Sequence, residues 1–360
     1  MLCTYASTAF IVPSLSSLRT ATTVNVTMIT QCADVAAGPQ RLGSRIGTLC
    51  SSATAGERAS GSSSDVEEMS TARVIQIFRY PVKSARAESL SEAVVTPEGL
   101  EGDRRFLVTT GDGRYRTQRE VPALATLDAR VEGNVLSLRA GPRALNVTIR
   151  RSGNLAPASL FGTPLKLTDQ GPEVGAWVGE WLTGVGSGDG NPLAKLQQSL
   201  FGPPYRLLRA PDPAPSSTPP LRGGAGLADL SPLLLVCEET LAELNARRAA
   251  EGKAPSSMAR FRPNLVLRGC GKPHAEDMWI GRTLTIGAGA NFRVTSACPR
   301  CGVPDVDQTS GVRDAAADGP MGTLKSYRSR AGQGVLFGIY IAPVGTPAAR
   351  VRVGDTVNVG

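Results

Sequence analysis

Forty glycines and 26 prolines are spread through this 360-residue chain, a density of backbone breakers that no helical bundle tolerates. With aromatics at only 5%, it favours many turns and short strands, so the body is expected to be β-rich. Hydrophobic residues make up 41% and charged residues 19%, enough apolar material for one large or two medium cores.

The first stretch has a different composition. From Met1 to about Ser70 the chain is crowded with Ser, Thr and Ala and carries Arg19, Arg41, Arg45 and Arg58, with little acid before Asp65. Residues 1–71 are therefore expected to be a transit peptide, disordered and outside the folded body. Mitochondrial and plastid leaders share this composition, so it points to an organelle without choosing one; a segment that does not target leaves the protein in the cytoplasm. The apolar "TAFIVPSLSSL" is broken by Pro13 and falls short of the roughly 20 residues that cross a bilayer, so no transmembrane segment is expected. This stretch holds four of the 39 basic and five of the 31 acidic side chains, which leaves 35 against 26 and a net charge of +9 for the rest. Such a surface suits an acidic protein or an anionic membrane. The basic residues form no run and are not interleaved with aromatics, which argues against nucleic acid.

Between Arg73 and Lys166, short β-branched or alternating segments such as "ARVIQIFRYPV", "RRFLVTT", "DARVEGN", "VLSLRA" and "LNVTIRR" are separated by the turn sequences "TPEG", "GDGR" and "AGPR". They predict a small barrel or sandwich. "EVGAWVGEWLTG" then has helical spacing and stops at Gly184, its tryptophans reading as core. "DPAPSSTPP" and "RGGAG" read as a surface loop. A buried strand and a helix with an acidic start and an Arg-rich end follow in "SPLLLVCEETLAELNARRAAEGK". The remainder is again mostly strands. The expected domains are a leader (1–71), a first β-barrel module (72–170), a connecting helix and loop (171–230) and a second β-rich domain (231–360). The whole reads as β-rich α+β, two β modules in tandem with a few helices.

Cysteine and histidine narrow the chemistry. Of seven cysteines, Cys3, Cys32 and Cys50 lie in the leader, and Cys237, Cys270, Cys298 and Cys301 are too few for a disulfide scaffold, so a reducing compartment is the simpler expectation. The single histidine, His274, is expected at the surface, and one histidine rules out classical zinc fingers and multi-histidine catalytic zinc.

The C-x-x-C of Cys298 and Cys301 admits three readings. Structural zinc needs a second pair, and Cys237 and Cys270 sit singly in apolar strand contexts. A dithiol redox pair needs a helix start, which Gly302 and Pro304 spoil. The third is a single thiolate holding a softer, heavier metal, with Arg300 favouring the deprotonated sulfur.

At this point several motifs agree in order. "FRYPVKSARAESLSEAVVTPEGLEGDRRFLV", "TQREVPAL", "FRPNLVL", "PRCGVPDVDQTSG", "GPMGTLKSYR" and "LFGIYIAPVGTPAARVRVGDTVNV" together resemble the MOSC-domain proteins, named for the C-terminal domain of molybdenum cofactor sulfurase. The likeness spans roughly residues 72 to 360 and, within the family, is greatest to the eukaryotic amidoxime-reducing components. It implies an N-terminal MOSC-associated β-barrel followed by a MOSC domain. It also implies a molybdenum cofactor (Mo-molybdopterin), with no haem, flavin, zinc or iron-sulfur cluster. The activity it implies is reduction of amidoximes, hydroxylamines and other small N-oxygenated compounds, and of nitrite to nitric oxide. Electrons would come from cytochrome b5 and NADH-cytochrome b5 reductase, and a monomer is expected. The alternative is a carrier of the cofactor, or a sulfur-transfer protein, without reductase activity.

Carried over residue by residue, the metal ligand matches Cys301 and the flanking Cys298 is not a ligand. Cofactor contacts match Lys83, Ser84, Arg104, Arg262, Asn264, Arg300 and Tyr340. Leu230 stands where relatives carry a polar contact, leaving Ser231 for that role, and Pro299 stands where they have a small polar residue, with its carbonyl still available. Asp307 matches the family's "VD" and is, with Cys301, the candidate for catalysis, as a proton relay; Asp305 shares that candidacy. A phosphorylated pterin dithiolene is anionic and rich in amide groups, which suits one Lys and three Arg beside Ser, Asn and Tyr.

Overall fold

The computed structural model describes residues 72–184, 204–212, 227–345 and 348–360. The expected leader and most of the Gly/Pro-rich interval lie outside these.

The first half contributes strands β1 (Arg73–Arg79), β2 (Glu88–Leu90), β3 (Glu92–Thr96), β4 (Gly99–Leu100), β5 (Phe106–Thr110), β6 (Asp128–Glu132), β7 (Val135–Ala140), β8 (Arg143–Thr148), β9 (Leu155–Leu160) and β10 (Thr163–Asp169), then helix α1 (Pro172–Thr183). The second contributes β11 (Tyr205–Arg209), β12 (Leu233–Cys237), helix α2 (Glu238–Ala250), β13 (Leu265–Arg268), β14 (Thr283–Ile286) and β15 (Ala290–Pro299). Helix α3 (Pro320–Arg328), β16 (Ser329–Arg330), β17 (Gly334–Pro343), β18 (Arg350–Arg352) and β19 (Val357–Val359) follow. The chain is strand-rich, as the Gly and Pro spacing implied. The α1 pattern is where the periodicity placed it, closed by Gly184 in the left-handed conformation. Trp177 and Trp181 pack against the apolar cluster of the first sheets, ring centroids 6.1 Å apart.

Alternation sets the faces. In β7 and β9, Leu136, Leu138, Ala156 and Ala158 are buried while their neighbours point outward. The β6-β7-β8 meander is joined by turns two residues long. The strand β12, "LLLVC", is apolar at every position because it is covered on both faces and lies inside the sheet between β17 and β13.

The largest sheet runs β19-β14-β15-β17-β12-β13-β1-β2, with β16 paired to β17. The pairing of β12 with β13 is parallel, and helix α2 makes the crossover. This sheet does not respect the order of modules along the chain. Strand β1 pairs antiparallel with β13, Ile77 opposite Leu265, so β1 and β2 complete the second module's sheet, while β18 joins β3 and β4 in a separate three-stranded sheet. Val74 and Ile77 share one apolar cluster with Leu235, Leu265, Phe292 and Ile341, which supplies the reason for the pairing.

Two cysteine and histidine expectations fail. Cys237, ending β12, and Cys270, two residues beyond β13, are joined in a disulfide rather than standing singly, because the parallel strands deliver both to the same side of the sheet. His274 is half-buried against the Tyr327 ring, centroids 5.8 Å apart, instead of lying on the surface. Burial, then Arg328, lowers its pKa to about 4.

Candidate functional site

The strand pairings place four loops around one cavity. The segment after β1 brings Lys83 and Ser84, and the turn before β5 brings Arg104. The turn before β13 brings Arg262 and Asn264, and the end of β15 brings Pro299, Arg300 and Cys301. Tyr340 comes from β17, and Ser231 precedes β12. All ten residues expected to contact the cofactor line this cavity.

Its backbone is unusual. Six non-glycine residues among those described have clearly positive φ, and three of them are Ser84 (68°), Arg104 (47°) and Arg262 (58°). Left-handed backbone costs an L residue of order 1 kcal/mol, and such strain concentrates where side-chain direction matters more than local stability. Gly338 does a related job in β17. At φ 75°, any Cβ there would meet the Leu235 carbonyl oxygen at 2.8 Å, so only glycine lets β17 lie against β12 with Tyr340 beside Leu234.

Asn264 is the knot of the floor. Fully buried, it donates its side-chain amide to the Phe78 carbonyl (3.1 Å) and accepts from the Leu234 amide (3.2 Å) and Arg104 Nη1 (3.1 Å). Its backbone amide donates to the Leu234 carbonyl at 2.7 Å. Beneath lies Tyr80, buried, with its hydroxyl donating to the Pro263 carbonyl (2.9 Å) and its pKa pushed up to about 12 by burial. The guanidinium carbons of Arg104 and Arg262 sit 4.7 and 4.3 Å from the Tyr80 ring centre.

The four cations differ in how they are neutralised. Lys83 pairs with Asp229 and donates to the Leu227 carbonyl at 2.9 Å; burial lowers its pKa and Asp229 opposes the shift. Arg104 pairs with Asp103. Arg262 and Arg300 have no carboxylate within ion-pair distance among the described residues. Arg262 donates to the Ala85 carbonyl (2.6 Å) and the Gln308 side chain (3.3 Å), and burial lowers its pKa to about 10. Arg300 donates to the Cys298 sulfur (3.0 Å) and the Phe261 carbonyl (2.8 Å), while its buried Nε has no partner at all. Two half-buried guanidiniums without counter-charge, one with a buried Nε that bonds nothing, are costly unless an anion completes the site. That donor set fits a phosphorylated, hydrogen-bond-rich ligand.

Of the two C-x-x-C sulfurs, Cys298 is buried and Cys301 exposed at the cavity. The register shift between Ala297 and Pro299 in the β15–β17 ladder marks where the strand turns out to present Arg300 and Cys301. The Arg300 amide still donates to the Val335 carbonyl at 2.7 Å. Tyr340 is raised in pKa by burial and then by Cys298. Ser231 lines the cavity with its hydroxyl donating to the Ile341 carbonyl at 3.2 Å, whereas Leu230 points to solvent.

The two aspartates are not at the cavity. Asp307 accepts from the Thr309 amide (3.0 Å), the Ser310 amide (2.8 Å) and the Ser310 hydroxyl (3.0 Å), and pairs with Arg260 at 3.1 Å. Those donors, Ser310 first, hold its carboxyl below the usual range. Asp305 accepts from the Met321 amide (3.0 Å) at the start of α3, with its pKa raised by burial. Both serve backbone amides where proton relays were expected: Asp307 satisfies those two and three residues ahead in its own turn, and Asp305 reaches across to the amide of Met321 at the start of α3.

Sequence reasoning missed the supports. Asp229, which anchors Lys83, and Arg119 line the cavity. Gln118 and Gln308 exchange reciprocal amide bonds of 3.0 and 2.9 Å, and Gln118 also donates to the Ser84 carbonyl at 2.8 Å. This buried pair ties the "TQRE" segment to the loop after Cys301. The signal was there: "TQRE" and "VDQTSG" each place a glutamine in a motif already singled out.

Residues 71–184 match the family model described as "MOSC N-terminal beta barrel domain", and residues 223–358 match "MOSC domain". The chain is 32% identical over 300 residues to "Mitochondrial amidoxime reducing component 2" of Rattus norvegicus, covering 79% of this chain and 82% of that one. It is 31% identical over 304 residues to "Mitochondrial amidoxime-reducing component 1" of Homo sapiens, with the same coverage. "Molybdenum cofactor sulfurase" of Oryza sativa subsp. japonica matches at 29% over 276 residues, 74% of this chain but 32% of the rice protein. With both domain models matched in order around a cationic cavity, and with likeness to the amidoxime-reducing components over 79% of this chain and 82% of theirs, the chain belongs to the MOSC-domain family.

Proposed function

We propose that this protein is a molybdenum-cofactor-dependent reductase of N-hydroxylated compounds, amidoximes and hydroxylamines foremost and nitrite second. The observation that carries the reading is the pair of half-buried guanidiniums, Arg262 and Arg300, left without a carboxylate partner around the exposed sulfur of Cys301, with the buried Arg300 Nε unpartnered. When bound, the molybdenum cofactor supplies two-electron oxygen transfer, the chemistry that converts N–OH to N–H. The chain's own residues hold and tune it. Cys301 would bond the metal, and Lys83, Arg104, Arg262 and Arg300 would balance the anionic pterin and phosphate. Ser84, Ser231, Asn264, Tyr340 and the Pro299 carbonyl would fix its orientation. Asp307 stays ionised in its turn and takes no part.

Electrons would come from cytochrome b5 and its NADH-dependent reductase, steered by the net positive charge of residues 72–360. The names of the relatives favour the mitochondrion. The second reading, cofactor carriage or sulfur transfer, is supported by the sulfurase match. Metal and pterin content of wild type beside Cys301→Ala, together with benzamidoxime reduction by a chemical reductant, separates the readings. Bound molybdenum with turnover, both lost in Cys301→Ala, is the expected result. Bound molybdenum without turnover selects the carrier, and a metal-free wild type after expression with the cofactor pathway present sinks both.

A further inference from the structure

Away from the cavity, on the side of the sheet where β12 and β13 end, a second group of metal-capable side chains comes together. Cys237 closes β12 and stands as the residue before α2, Cys270 follows β13, and Glu239 lies in the first turn of α2. One ligand atom from each lies within 4.8 Å of the other two. Glu239 uses Oε1 to accept from the Gly269 amide (2.7 Å) and the Cys270 amide (3.3 Å). Its Oε2 is buried and has no hydrogen-bond partner. A buried carboxylate oxygen with nothing to bond is costly, and the adjacent disulfide offers it neither proton nor charge.

Reduction changes that. Two thiolates and a carboxylate are a donor set for a borderline-soft divalent cation. Their three negative charges against two positive leave one negative charge at the N-terminus of α2, where unpaired backbone amides favour it.

We propose that the reduced Cys237/Cys270 pair and Glu239 form a zinc-class metal site, so that disulfide and metal are alternative occupants of one position. A small dithiol, or two monothiols, would attack the half-exposed Cys270 sulfur and expel the buried Cys237 sulfur as thiolate. A second thiolate then releases Cys270, and the reductant departs as its own disulfide. The cation next displaces the remaining thiol proton or protons and takes Glu239 Oε2 as third ligand. Either occupant fastens the far ends of the two strands whose near ends carry Ser231, Leu234 and Asn264, so the cavity keeps its walls in both redox states.

The test uses the full chain, reduced with a phosphine that is then removed without air, and titrated with Co²⁺. Wild type is expected to show a thiolate-to-cobalt charge-transfer band with one more equivalent bound than in Cys270→Ser. Glu239→Gln should bind 10-fold or more weakly, and disulfide-oxidised wild type should lose that equivalent. The other cysteines are a background common to all samples. The same stoichiometry in wild type and Cys270→Ser overturns the proposal. Independently of any variant, Zn²⁺ should slow alkylation of Cys270 in reduced wild type at least 10-fold, read by peptide mass spectrometry. An unchanged rate shows that the orphaned oxygen is met by thiol protons instead and also overturns it. Neither measurement depends on molybdenum, so the outcome is independent of the cavity's assignment.

Discussion

Replacing Arg262 with methionine should separate what the cavity costs from what it does. Burial lowers this guanidinium from its ordinary value of 12.5 to about 10. At about 1.4 kcal/mol per unit, holding the charge inside the folded chain costs about 3 kcal/mol. The sign follows from a depressed cation: the cost is borne at every pH below about 10 and lifts only as the group deprotonates above it. Methionine removes that cost and keeps the length and the left-handed backbone of the site. It forfeits the bonds to the Ala85 carbonyl and Gln308, about 1.5–3 kcal/mol for a charged donor, and the contact with Tyr80, about 1 kcal/mol. The two sides nearly cancel. The cofactor-free variant should therefore melt within about 5 °C of wild type, since 1 kcal/mol moves a domain of this size by roughly 2–4 °C. Nothing cancels on the ligand side, where a lost charge-assisted bond of about 1.5–3 kcal/mol weakens retention about 10- to 100-fold. Thermal unfolding of the cofactor-free proteins and pterin fluorescence after gel filtration are the two assays. A cofactor-free variant melting more than about 10 °C lower, or one keeping its pterin, would refute the claim that Arg262 is held for an anion and not for the fold.

Other outcomes follow from the same geometry. Asp307→Ala removes a turn cap and an ion pair and should cost about 1–2 kcal/mol in stability while leaving kcat within twofold; a kcat loss of a hundredfold at unchanged pterin content would restore the relay role. Glu276 is buried and its pKa is raised to about 7 by desolvation, so it favours the fold below its unfolded pKa of 4.5 and loses that contribution as pH rises through 7, by about 3 kcal/mol. Glu276→Gln should flatten the melting profile of wild type between pH 4.5 and 7.5, and parallel profiles would count against it. Replacing both Cys237 and Cys270 with alanine opens a link of sequence separation 33 and should lower stability by about 3–4 kcal/mol in denaturant titrations under oxidising conditions. Raising ionic strength should slow turnover driven by cytochrome b5 but not by a chemical reductant; equal response of the two would remove the surface-charge argument.

The strands were legible because period-two patterns and turn residues are local signals, as "VLSLRA" between "EGN" and "AGPR" shows. Sheet membership was not, since the pairing of Ile77 with Leu265 depends on apolar faces far apart in sequence. The cavity residues were legible only through resemblance: Arg104 or Arg262 alone reads as a surface cation, and nothing in either motif announces a left-handed backbone. Cys237 and Cys270 looked solitary because their proximity comes from a parallel crossover, which no local pattern encodes. Asp307 was singled out by its closeness in sequence to Cys301, while the Asp-x-x-Ser spacing of "VDQTSG" also fits the turn cap that the structure shows.

The antiparallel seam between β1 and β13 bears on how the protein is made. A ribosome adding roughly 5–20 residues per second finishes β1 some ten to forty seconds before its partner emerges. Throughout that interval Val74 and Ile77 have β2, Val95 and Leu100 to pack against but not the β13 side of their cluster. Newborn chains should depend on chaperone cover until about residue 270 has been released, and an expression clone that begins at β12 would leave the β13 edge bare and prone to aggregate.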